Sequence, residues 1–147
     1  MFCGFILMIR RYIYPVVIIL LISCNNHFHQ SQASVRKQEA VIRTYIQAED
    51  ARDSVSLQQL LSDTIAVYWK MENPGKEKII NFYKDYWTKN KYSRNTIQSI
   101  TAVAKNSYIV KTFFEVQRVQ ADTAIHVAST ILYTLNAANK IVYVGKE

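Results

Sequence analysis

From Thr96 onward the sequence alternates apolar and polar residues with a period of two, in four runs: Thr96 to Ala104, Tyr108 to Val119, Ala124 to Leu135 and Ile141 to Val144. That period puts alternate side chains on opposite faces of a strand. Strands joined by such short turns pair with their neighbours as an antiparallel meander, one face of which needs a cover of apolar side chains.

The cover lies upstream. Ala40, Val41, Tyr45, Ala48 and Ala51 or Arg52 recur at helical spacing, so Val35 to Ser54 reads as a long amphipathic helix. Ser56 reads as the cap of a short second helix carrying Leu57, Leu60 and Leu61. Thr64 to Met71 is rich in β-branched and aromatic residues and reads as a strand ended by Asn73-Pro74-Gly75. A third helix follows from Lys76 to about Asn90, with Ile79, Phe82, Tyr83, Tyr86 and Trp87 on one face. This order predicts an α+β fold, three N-terminal helices packed on one face of a curved, mainly antiparallel sheet.

Ahead of the domain, Arg10 and Arg11 precede an apolar run from Tyr12 to Ser23, too short for the about 20 residues a spanning helix needs. Leu21-Ile22-Ser23-Cys24 resembles the lipobox of bacterial lipoproteins. The resemblance implies a cleaved leader over 1–23, acylated Cys24 as a membrane anchor, a polar tether over 24–34 and a domain over 35–147. The alternatives are an ordinary signal peptide or an amino-terminal anchor helix. Met8 is a second possible start. Among bacterial lipoproteins an aspartate after the cysteine often means retention in the inner membrane, so with uncharged Asn25 and Asn26 the resemblance implies the periplasmic side of the outer membrane. His27 and His29 in the tether are too few ligands for a metal site.

Composition narrows the chemistry. Cys3 and Cys24 are the two cysteines, so the domain has no disulfide, thiolate metal site or cysteine nucleophile. Loss of Arg10 and Arg11 with the leader lowers the formal charge from +7 to +5. Lys84, Lys89, Lys91 and Arg94 read as a solvated helix end, with anionic lipid as the alternative and no nucleic-acid partner expected. No cofactor or metal is indicated.

Tyr45-Ile46 on the first helix, Asp63-Thr64 before a strand and Gly75-x-x-x-Ile79-x-x-Phe82-Tyr83 opening the third helix together resemble the nuclear transport factor 2-like superfamily. The superfamily includes SnoaL-like polyketide cyclases, ketosteroid isomerase, dehydratases, epoxide hydrolases and many non-catalytic domains. The resemblance implies a cone whose mouth is a mainly apolar pocket, and it implies no single reaction. Set beside ketosteroid isomerase, Tyr45 falls on the oxyanion-hole tyrosine and Tyr83 on a pocket tyrosine. Trp69 takes the place of the general-base aspartate, and Ile131 that of the protonated aspartate. Without those carboxylates, isomerase chemistry of that type is not expected.

In the same register, Tyr108, Val110, Thr112, Phe114 and Val116 face the helices, as do Ser129, Ile131, Tyr133 and Leu135. With Tyr45, Trp69, Phe82, Tyr83 and Trp87 they outline either a ligand chamber or a filled core. Of the acids Glu49, Asp50 and Asp53, Asp50 is taken as the one near Tyr45, making Tyr45 and Asp50 the catalytic candidates. Glu115 and His126 face outward beside Lys111. Ile109 and Phe113 on that convex face suit a homodimer. The function expected is a membrane-tethered, non-catalytic domain that binds a small apolar ligand or an envelope protein. The alternatives are an enzyme of the cyclase, dehydratase or hydrolase type and a purely structural module.

Overall fold

The computed structural model describes residues 30–146. The expected leader, the anchor Cys24 and the His27/His29 pair lie outside the described residues. Residues 31–147 form one compact unit with its own core, as expected of a segment able to fold by itself.

Helix α1 spans Gln32–Ala51. The Ser31 hydroxyl accepts from Ser34 N at 3.2 Å, which opens the helix before Val35 and takes Gln32 to Ser34 out of the expected tether. Arg52 closes it in the left-handed region, φ 60°, donating its N–H to the carbonyls of Ala48 and Glu49. Helix α2, Ser54–Leu60, starts at once and its cap is Asp53 rather than Ser56. The Asp53 carboxylate accepts from Val55 N and Ser56 N at 3.1 and 3.0 Å, and Ser56 donates its hydroxyl to the same carboxylate. A carboxylate at a helix start satisfies free amides and the helix dipole together, whereas a hydroxyl one turn later reaches neither.

The single strand expected over Thr64 to Met71 is two short strands, β1 (Val67–Tyr68) and β2 (Met71–Glu72). Trp69 and Lys70 turn the hairpin, and Trp69 sits at φ 55°. A bulky residue there costs about 1–3 kcal/mol, a kind of strain that gathers at functional sites. Asn73, φ 45°, turns the chain into α3, Lys76–Lys89. Ile79, Ile80, Tyr83 and Trp87 form the buried stripe of α3, while Phe82 lies at its edge and is 43% exposed.

Strands β3 (Asn90–Ala104), β4 (Ser107–Arg118), β5 (Ile125–Leu135) and β6 (Ile141–Lys146) complete a six-stranded sheet in the order β2-β1-β6-β5-β4-β3. The pairings are antiparallel except β1 with β6, which is parallel. Strand β3 begins directly after α3, six residues before Thr96, because Asn90 already pairs with Arg118. Register shifts along β3 mark bulges, which bend the sheet around its helical cover.

The core lies between the helices and the concave face. Ile42, Ile46, Leu57, Leu61, Ile79, Tyr108, Val110, Tyr133, Ile141 and Val144 are all buried there, each contributing roughly 1.5–3 kcal/mol. Gln38 closes the narrow end. It donates to Asn106 and Asn139 at 3.0 Å each and accepts from the Tyr108 hydroxyl at 2.7 Å. Both asparagines hold positive φ at hairpin turns, so one α1 side chain ties down two turns of the meander.

Candidate functional site

The site is built on the helical spacing of Tyr45 and Glu49. Four residues apart on α1, they stand one above the other on the face turned to the sheet. Strand β1 brings Tyr68 and α3 brings Tyr83 to the same point. The hydroxyls of Tyr45 and Tyr68 share a hydrogen bond, as do those of Tyr68 and Tyr83, and Tyr45 and Tyr83 approach to 3.4 Å. Tyr83 donates to Glu49 Oε1, and Tyr68 reaches the same oxygen at 3.4 Å. Tyr133 packs edge-on against Tyr45, with ring centroids 6.0 Å apart.

Burial dominates the electrostatics here. It raises the Glu49 carboxyl from 4.5 to about 7, against hydrogen bonds from Tyr83 and Tyr45 that favour the charged form. Burial, followed by the Glu49 charge, pushes Tyr45, Tyr68, Tyr83 and Tyr133 well above the usual tyrosine value, so all four are neutral. The cluster therefore holds one titrating proton near neutral pH.

The cone is open. An inner chamber of about 120 Å³ is lined by Glu49, Asn95, Thr112 and Ser129 together with Trp69, Tyr83, Phe114 and Ile131. An outer chamber of about 210 Å³ shares Glu49, Trp69, Tyr83, Asn95 and Phe114 and adds Phe82, Tyr86, Trp87 and Ser93. Beyond it a cleft of about 360 Å³ lies between Trp69, Lys70, Met71, Phe82 and Lys146. A separate surface depression of about 440 Å³ runs along the 63–75 loop and touches none of these residues. Thr112 Oγ1 and Trp87 Nε1 are buried without a hydrogen-bond partner, one in each chamber's wall.

Seven of the nine ligand residues expected from sequence line the chambers: Trp69, Phe82, Tyr83, Trp87, Thr112, Phe114 and Ile131. Tyr45 and Tyr133 do not. Both are fully buried: Tyr45 shares a hydrogen bond with Tyr68, and Tyr133 packs edge-on against the Tyr45 ring. Asp50 is not the pocket acid. Its carboxylate accepts from Asn95 N at 2.8 Å and Asn95 Nδ2 at 2.9 Å, which fastens α1 to β3. One residue turns a helix by 100°, so Glu49 lies under Tyr45 and Asp50 swings to the side. Nothing local in the sequence marks Tyr68, because its partner strand β6 is remote along the chain.

On the convex face Glu115 lies opposite His126, as alternation predicts, but accepts from the Tyr92 hydroxyl at 2.6 Å. Phe113 is 54% exposed there. Among the described residues no three His, Cys, Asp or Glu side chains group to hold a metal ion. Lys89 pairs with Asp85 at 2.6 Å, and Arg52 clamps the carbonyls of Asn90 and Lys91 at 2.7 and 2.8 Å, which accounts for part of the basic cluster's surroundings.

No protein-family profile and no curated protein matches the chain. Solved structures do. An NTF2-like protein of unknown function from Exiguobacterium sp. 255-15 superposes with TM-score 0.63 at 20% identity, over 72% of this chain and 95% of that one. Δ5-3-ketosteroid isomerase from Mycobacterium sp. gives 0.63 at 15% identity, over 74% and 89%. An LEH-like epoxide hydrolase from M. tuberculosis gives 0.64 at 8% identity, over 75% and 80%. With three helices on a bent, mostly antiparallel six-stranded sheet and these likenesses, the described unit has the nuclear transport factor 2-like fold.

Proposed function

We propose that this chain is an envelope domain, anchored by lipid on Cys24, whose cone binds a small and mainly apolar molecule and reads one polar group on it through Glu49. The observation that carries this reading is the single carboxyl set into the wall of two joined, mostly aromatic chambers and steadied by Tyr68 and Tyr83. Solved proteins of this fold include an isomerase and an epoxide hydrolase, both acting on small organic molecules by their names.

Thermal shift of residues 31–147 with neutral cyclic alcohols and ketones tests the binding. A rise in Tm that disappears in Trp69→Ala supports it, and a flat response to the whole panel sinks it. For the anchor, the full chain expressed in a bacterium with radiolabelled palmitate takes up label and sediments with membranes, and Cys24→Ser loses both. Labelling that survives this substitution refutes the tether.

A second reading is favoured by one observation, the Glu49 carboxyl at about 7. A group half ionised at neutral pH suits general acid–base work, and here Glu49 takes the role that sequence gave to Asp50. Deuterium exchange at the α-carbon of a bound cyclic ketone, lost in Glu49→Gln, is the result this reading requires.

A further inference from the structure

We infer that the outer chamber is a cage for a small alkylated ammonium group, with Glu49 as its counter-ion. The inference rests on the reading of the cone as a ligand site and names the class of ligand.

Six rings, those of Trp69, Phe82, Tyr83, Tyr86, Trp87 and Phe114, surround a space of about 210 Å³. The outer chamber alone is smaller than the about 300–1,000 Å³ of sites for drug-sized ligands, so a group seated in it is small and stays close to the walls. Cations are attracted to the faces of such rings within about 6 Å, tryptophan most strongly, and more so where water is excluded.

The carboxyl is what separates this cage from an ordinary apolar pocket. Burying an acid among rings is costly, and an apolar ligand gains nothing from it. The fold supplies no neutralising cation: the ion pairs among the described residues are Lys76–Asp63 and Lys89–Asp85, and neither involves Glu49. The titratable groups facing the carboxyl are Tyr45 and Asp50 from α1, Tyr68 from β1, Tyr83 and Tyr86 from α3, and Tyr133 from β5. All are neutral or acidic. Without an occupant a proton neutralises Glu49 at and below neutral pH; above it, the positive charge that would balance the carboxylate is left for the occupant of the chamber to bring.

The inner chamber says what the rest of that molecule carries. Thr112 Oγ1 is buried there without a partner, beside Ser129 and Asn95, and suits a hydroxyl or carbonyl a few bonds from the ammonium. Lys70 and Lys146 rim the outer cleft in solvent, where salt screens them, so they bear on approach more than on the bound state.

Choline and its neutral isostere 3,3-dimethylbutan-1-ol differ in little but charge. Calorimetric titration of residues 31–147 with each, near pH 6 and near pH 8, tests the inference. Choline is expected to bind on the order of tenfold more tightly than the alcohol at the higher pH, with an affinity that rises with pH as Glu49 ionises. Glu49→Gln brings choline down to the level of the alcohol, and Trp69→Leu weakens choline more than the alcohol while far-UV circular dichroism stays unchanged. Equal or tighter binding of the alcohol, or choline affinity that falls with pH, overturns the ammonium assignment and leaves the ligand-binding reading standing. Silence from both probes, together with a flat neutral panel, removes both.

Discussion

The hydroxyl of Tyr83 on α3 donates to the carboxyl of Glu49 on α1, so the two helices that close the cone are joined through a group that also lines its cavity. A contact of this kind adds to stability and draws on it at once. It holds the helices together, and it keeps an acid where charge is costly.

Stability should therefore depend on pH through Glu49. The folded carboxyl titrates near 7 against 4.5 when free, so its contribution is fully present below about 4.5 and is lost as pH rises toward 7. The difference is on the order of 3 kcal/mol. Glu49→Gln, which keeps an acceptor for Tyr83, should leave Tm nearly unchanged in acid and raise it above pH 7. Urea unfolding at a series of pH values measures this, and a variant less stable than the parent above pH 7 would contradict it.

Asp50 should prove structural. Asp50→Ala removes two hydrogen bonds to Asn95 and uncovers a backbone N–H on the edge strand β3, at a cost of about 2 kcal/mol. Asn95 lines both chambers, so any loss of ligand affinity should accompany this loss of stability. Equilibrium unfolding and a binding titration on the same protein separate the two effects. Lost affinity at unaltered stability would return Asp50 to the site.

Thr112 should behave in the opposite way. Its buried hydroxyl has no partner, so Thr112→Val should stabilise the empty protein by up to about 1 kcal/mol while weakening a ligand that carries a polar group at its inner end. Calorimetry with and without such a ligand reads both signs, and destabilisation of the empty protein would mean that the hydroxyl is satisfied.

The strands were the most legible part of the fold, because a period of two assigns faces without reference to anything distant. Tyr108, Val110, Thr112, Ile131, Tyr133 and Leu135, read as facing the helices, are all buried. The site was less legible. The step from Glu49 to Asp50 is one residue, but it is 100° of helix, and only a packed α1 reveals which acid lies beneath Tyr45. Phe82 belongs to the aromatic stripe by spacing and to the rim by packing.

Local patterning thus determined from sequence alone the three helices, the four long strands and the inward face of the meander, and the aromatic character of the pocket walls, because each follows from side chains a few residues apart. Tertiary structure decided the rest. Tyr68 reaches Glu49 only because β1 pairs in parallel with β6, far along the chain. The two chambers lie where side chains from α1, α3 and the hairpin at Trp69 meet those of β3, β4 and β5. Volumes and pKa values belong to that assembled geometry, and no run of neighbouring residues encodes them.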